Sequence, residues 1–157
     1  MTKLVPLSLD ALALVAAGPA TLSPADQSAA FSTAGFKRVR GQWKACDDSA
    51  PSYTAGAVQE TADLNGDGRP EVILTEGSSN CYGSTEAGYF LVSKQTNGTW
   101  KLIDSGPGVI TALATRGVGG WPDLEIGGPG FCFPVERWNG NAYKVQRHQY
   151  EGKACRP

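Results

Sequence analysis

Asp63-Leu64-Asn65-Gly66-Asp67-Gly68-Arg69-Pro70-Glu71-Val72-Ile73-Leu74-Thr75 is the stretch on which the reading of this chain turns. Asp63, Asn65 and Asp67 stand at alternate positions, so a chain that curls between them brings their oxygens together. Gly66 and Gly68 permit the sharp backbone path that a Cβ would obstruct. Pro70 stiffens the exit, and Val72-Ile73-Leu74-Thr75 continues as an apolar run of strand type. Val58 to Ala62 enters the loop from the other side. A tight acidic loop joining two strands points to a β architecture.

The same loop has the donor set for one Ca²⁺ ion. Calcium takes about six to eight oxygens in a flexible shell. The side chains of Asp63, Asn65 and Asp67, the carbonyl of Arg69 and the carboxylate of Glu71 supply such a set. Mg²⁺ suits it less well, because it demands a tight octahedron and keeps its waters. An EF-hand needs a bidentate Glu at the twelfth position, which here is Leu74, and its flanks are helices. The loop is therefore not an EF-hand, and the expected affinity is in the weak extracellular range, ~10⁻⁴–10⁻³ M.

Working outward, most of the chain after Phe36 reads as strands and turns, in keeping with 20 Gly and 10 Pro among 157 residues. Val39, Gly41, Trp43 and Ala45 alternate with polar residues as one half-buried strand does. Further strands are expected at 89–93, 100–103, 109–114, 124–126, 131–138 and 142–146, with Asn97-Gly98 and Asn139-Gly140 as hairpin turns. Phe131, Phe133 and Val135 would fill the core from alternate positions. One helix precedes the strands: Ser23 suits its N-cap, Pro24 and Asp26 its first turn, and Gly35 its stop, with Ala30, Phe31 and Ala34 facing inward.

An internal echo organises the strands. Asn65 to Ile73 is matched by Gly117-Val-Gly-Gly-Trp121-Pro122-Asp123-Leu124-Glu125, and each copy runs through a cysteine-bearing loop to a strand and an Asn-Gly turn. Phe90 to Trp100 thus matches Phe133 to Gly140. The expected fold is mainly β, two degenerate blade-like repeats of antiparallel strands spanning about 57–104 and 109–148, with one short N-terminal helix. In the second copy Thr115, Gly117 and Gly119 replace the first three ligands and only Asp123 survives, so one ion is expected, structural in role.

Residues 1–20 combine Lys3, an apolar run and small residues, the order of an export signal; residues 21–157 would form a single domain that is secreted or periplasmic. No mature membrane span is expected. Cys46, Cys81, Cys132 and Cys155 form no C-x-x-C pair and only one His accompanies them, so two disulfides are a better reading than zinc. Equivalent cysteines in the two copies should not pair with each other, which favours Cys46 with Cys81 and Cys132 with Cys155.

The loop resembles those of integrin-type FG-GAP repeats and the related VCBS repeats, which carry Asp-x-Asp/Asn-x-Asp-Gly-x-x-Asp between two strands. Asp63, Asn65, Asp67 and Gly68 match, and Glu71 stands for the last Asp. The resemblance implies a calcium loop that rigidifies a propeller blade used in binding or adhesion, although this chain has room for about two blades.

Charge nearly cancels, 14 basic against 15 acidic residues, and no cluster of Lys and Arg suggests a nucleic-acid footprint. No catalytic residue is assigned: there is no Gly-x-Ser-x-Gly, P-loop or His-Glu-x-x-His, and His148 reads as structural. A carboxylate hydrolase using Glu76, Glu86, Glu125 or Glu136 is the least favoured function. An interaction module is favoured over a small exported inhibitor or carbohydrate-binding protein. Its protein or carbohydrate partner is not named by the sequence, and Tyr82 and Trp121 are the loop aromatics expected to touch it.

Overall fold

The computed structural model describes residues 21–157; the expected export segment, residues 1–20, lies outside them. The chain opens with α1 (Pro24–Thr33). Ser23 accepts a hydrogen bond from the Asp26 amide at 3.1 Å, Pro24 occupies the first turn, and Gly35 follows the helix at φ 90°. Ala30, Phe31 and Ala34 are buried on one side.

Two antiparallel meanders follow. The first sheet runs β1 (Lys37–Val39), β2 (Gln42–Lys44), β3 (Thr54–Ala62), β4 (Glu71–Gly77), β5 (Ala87–Lys94) and β6 (Trp100–Pro107), each strand beside its neighbours in sequence. The second runs β7 (Val109–Arg116), β8 (Pro122–Gly127), β9 (Phe133–Trp138), β10 (Tyr143–Tyr150) and β11 (Lys153–Ala154). A single helical turn, α2 (Ser79–Tyr82), lies between β4 and β5. The fold is mainly β, as expected. Among the described residues no helix is long and apolar enough to cross a membrane.

The layers follow from strand periodicity. Successive residues of β4 point to opposite faces. Val72 and Leu74, with Val92 and Trp100, pack against Ala30, Phe31 and Phe36 of the helical layer. Ile73, with Tyr89 and Leu91, packs against Ile110, Leu124, Trp138 and Tyr143 of the second sheet. Strands β4 and β5 at the middle of the first sheet are thus buried on both faces, which explains why Val72-Ile73-Leu74 is a continuous apolar run. Phe31 anchors the helix by stacking on Trp43 at 4.8 Å and meeting Phe36 edge-on at 5.1 Å. Asp26 adds polar contacts, accepting from Lys94 Nζ at 2.8 Å and Trp100 Nε1 at 3.2 Å. Gly108 alone joins the sheets; at φ 119° a Cβ there would lie 2.7 Å from the Gly127 carbonyl oxygen.

The disulfides join Cys46 to Cys81 and Cys132 to Cys155, the pairing expected. Three details differ from the sequence reading. The segment around Val39 to Ala45 is a hairpin and not one strand, because Arg40 and Gly41 both take positive φ (50° and 84°) and turn the chain. Strand β9 begins at Phe133, so Phe131 is 79% exposed instead of filling the core; Cys132 at φ 73° breaks the alternation before the strand starts. The two halves also align one residue differently: Ile73 pairs with Leu91 and Glu125 with Val135, which makes Tyr89, not Phe90, the counterpart of Phe133.

Truncating the helical anchor tests this layering. Phe31→Ala should lower the unfolding free energy by about 3–5 kcal/mol in a denaturant titration. An exposed-site control on the same helix, Ser28→Ala, should change it by less than about 0.5 kcal/mol.

Candidate functional site

The loop between β3 and β4 is held by its own side chains. Asp63 accepts backbone hydrogen bonds from Gly66 at 2.8 Å and Asp67 at 3.0 Å through Oδ1, and from Gly68 at 2.8 Å through Oδ2. Asn65 Oδ1 accepts from the Asp67 amide at 3.0 Å, and Asp67 Oδ1 from the Arg69 amide at 2.8 Å. These nested turns are why short polar side chains and two left-handed glycines are needed here. Arg69 pairs with Asp67 across the surface and donates from Nε to the Lys94 carbonyl at 3.1 Å.

Unlike Asp63 and Asp67, which are exposed, Glu71 has no exposed surface. Its Oε2 accepts from the Leu64 amide at 2.8 Å, and its Oε1 from Ser93 Oγ at 2.7 Å and Asn65 Nδ2 at 3.4 Å. All these donors are neutral, and no ion pair to Glu71 occurs among the described residues. Burial pushes its carboxyl above the ordinary carboxylate range, against the opposing Ser93 hydroxyl. Asn65 Nδ2 lies 3.3 Å from Asp67 Oδ2 as well, so a weakly positive amide group occupies the gap between two carboxylates. Asp63, Asn65, Asp67, Arg69 and Glu71 therefore sit on one loop, though no cluster of three or more His, Cys, Asp or Glu groups converges at metal-binding spacing among the described residues.

The corresponding carboxylate in the second sheet is balanced differently. Asp123 also follows a proline loop into its strand and also has no exposed surface. Two arginines hold it: Arg137 through Nε and Nη2 at 2.8 and 2.9 Å, and Arg147 through Nη1 at 2.8 Å, with Thr115 Oγ1 at 2.6 Å. The Arg137 guanidinium holds Asp123 well below the usual carboxylate range. Leu124 pairs with Glu136, which sets Asp123 opposite Arg137, just as Glu71 stands opposite Ser93. A serine thus fills the place in the first sheet that an arginine fills in the second.

The two loops touch. Arg116 Nη1 donates to the Leu64 carbonyl and, at 3.2 Å, to that of Gly120. A Cβ on Gly120 would lie 2.5 Å from the Asn65 carbonyl oxygen, so only glycine allows this approach. Leu64 itself is buried in the core between the sheets.

The remaining sequence candidates occupy other places. Tyr82 donates to Glu76 Oε2 at 2.5 Å while its ring covers Gly88, and Tyr53 donates to Glu76 Oε1. Glu76 also accepts from the Ala45 and Cys46 amides, so its carboxylate is consumed in anchoring the first disulfide. Trp121 packs on Trp138 at 5.6 Å and Tyr143 at 6.4 Å. Glu86 is exposed, Glu125 accepts from Gln149 at 2.7 Å, and His148 is half-buried on β10 opposite Pro134. Asp104, which accepts from Tyr89 at 2.9 Å, had no signal in the sequence; Glu136, one of the four candidate glutamates, lies close enough for the two charges to act on each other. Asp104 stands on β6 and Glu136 on β9, so only the folded chain brings them within reach of each other's charge. No protein-family model matches the chain, and no curated protein or solved structure is significantly similar to it.

Burial raises the carboxyl of Asp104 above its ordinary value of 3.8, with Tyr89 and Lys144 opposing. Its protonated form is therefore favoured by folding. That stabilisation is fully present below pH 3.8 and is lost as pH rises through the folded value. Asp104→Asn should accordingly melt at higher temperature than the parent chain at pH 7, with the advantage gone at pH 3; an equal difference at both would contradict the assignment.

Proposed function

We propose that this chain is an exported module whose acidic loop takes one Ca²⁺ ion as a structural clamp, and that it works by binding a partner and not by turnover. The observation that carries the reading is the contrast between two buried carboxylates in equivalent places. Asp123 has two guanidinium partners, whereas Glu71 has only neutral donors. Removing a carboxylate from water is expensive without a compensating charge, so Glu71 calls for a cation from solution or for a proton. The donor set suits calcium: hard oxygens from Asp63, Asn65, Asp67, Glu71 and the Arg69 carbonyl, on a backbone already curled by Gly66 and Gly68. Asn65 and Arg69 would turn their nitrogen groups away from the carboxylates on loading. When bound, the ion supplies charge balance and rigidity; Leu64 carries that rigidity into the inter-sheet core.

Export is supported by the two disulfides, which persist in oxidising compartments. The resemblance of the loop to FG-GAP and VCBS repeats supports a binding role. An exposed aromatic group supports it further: Phe131 lies 6.1 Å from Tyr150, and Phe133 lies 6.0 Å from the same ring. Such a surface suits partner contact better than Tyr82 or Trp121, whose rings are engaged internally.

Thermal unfolding in EDTA and in calcium is the direct test. An ion at ten times its dissociation constant should add about 1.4 kcal/mol, a rise of several degrees. Asp67→Ala, an exposed change that spares the core, should abolish the rise. No shift at about 10 mM Ca²⁺, well above the weak extracellular range, would leave the loop an acidic turn and remove the clamp from the function.

A further inference from the structure

Among the described residues, candidates outside the two loops include the Glu76 group, the Asp104–Glu136 pair and a cationic cleft beside β10. The first has every oxygen engaged, and the second lies between the sheets. The third is open, and two of its three cations, Arg116 and Lys144, form no salt bridge among the described residues.

We propose that this cleft, bounded by Arg116, Val118, Arg137, Lys144 and Gln146, binds a small organic oxyanion such as a sugar acid. The cleft measures about 480 Å³, within the span of about 300–1,000 Å³ usual for small-molecule sites. Three of its lining residues are cationic in a chain whose net charge is −1. Arg116 and Lys144 form no salt bridge among the described residues. Arg137 uses Nε and Nη2 on Asp123, which leaves Nη1 without a carboxylate. Asp104 and Glu136 feel the charge of Lys144 without forming a salt bridge to it. Guanidinium and ammonium groups lining one space suit the charge of a carboxylate or sulfate.

The walls are built for contact as well as charge. Val118, on the loop between β7 and β8, leaves 57% of its surface exposed beside the cations. Gln146 enters because β10 carries a bulge between Val145 and Arg147, which shifts the register against β9 at that residue. Bulges recur where a strand must re-aim a side chain toward a site. Asp123 fixes Arg137 from below, so part of the cationic surface is held in place before a ligand arrives. An apolar wall, an amide and fixed positive charge together describe an anionic organic molecule better than a nucleic acid, which would need a far larger basic surface. This inference does not depend on calcium in the acidic loop.

The test uses sodium glucuronate, sodium sulfate and glucose as probes at low ionic strength, followed by calorimetry and by the fluorescence of Trp138, which borders the cleft. Saturable glucuronate binding is expected, with none for glucose. Lys144→Gln should weaken it about tenfold, and Lys101→Gln, an exposed lysine outside the cleft, should not. Circular dichroism confirms that both variants fold. Glucuronate bound more tightly than sulfate upholds the proposal, and sulfate bound as tightly or more tightly overturns it, because the apolar wall and the amide would then add nothing. Failure of both anions to saturate, equal binding of glucose, or an equal effect of Lys101→Gln overturns the proposal.

Discussion

A carboxylate withdrawn from water must have its charge answered within a few ångströms, because the low-dielectric interior screens nothing and solvates little. This molecule places such a carboxylate at the same point in each sheet, where a proline loop becomes a strand. Asp123 is answered from within the chain by Arg137 and Arg147, one on each of the next two strands. Glu71 faces Ser93 in the position corresponding to Arg137 and finds only neutral donors. Much of the architecture around the two loops follows from this difference. The second loop is free to lose its acids and become Gly117-Val118-Gly119-Gly120, because its carboxylate is already balanced. The first keeps Asp63, Asn65 and Asp67 around a carboxylate that no side chain neutralises.

The two ends of the layered stack are finished by different chemistry. Each sheet has one face that receives the preceding layer: α1 covers the first sheet as the first covers the second. Leu124 points inward, so Asp123 and Glu125 occupy the outer face. There Asp123 is roofed by two arginines and Glu125 is met by Gln149. Where the first sheet has Ile73 and Leu91 to bury against a neighbour, the second has Glu125 and Val135. Repeat arrays require polar outer faces on their terminal units, and a helix at one end with a charge network at the other meets that need in two units.

The sequence made the coarse fold legible because its signals are local and redundant. Ser23, Pro24 and Gly35 each mark a boundary of α1 by a separate mechanism, and the structure places the helix between them. The internal echo removed one of the three possible disulfide pairings, the one joining Cys81 to Cys132, and favoured the pairing that the structure has. What escaped reading was set by conformation at single residues. Arg40 at positive φ makes a turn that composition gives no reason to expect, since only Gly41 beside it signals one. Cys132 does the same before β9 and leaves Phe131 outside. At the site, the ligand-type residues of the first loop were legible from spacing alone. The partners of Asp123 were not, because Arg137 and Arg147 lie on other strands and reach it only through sheet register.

Register also explains why the acidic loop matters to the whole molecule and not only to its own turn. Leu64 has three attachments of different kinds. Its amide donates to Glu71, its side chain fills the core between the sheets, and its carbonyl accepts from Arg116 at the root of the second loop. A disturbance at Glu71 therefore loosens an amide contact, a packed leucine and an inter-loop tether together, without passing through intermediate residues. The close approach of Gly120 to the Asn65 carbonyl adds a steric stop on the same junction. Coupling of this kind needs no pathway through the sheets, because the loop that donates to the buried Glu71 is also the loop that contacts the second sheet's loop. A loop placed elsewhere on the surface, however acidic, would stabilise only itself.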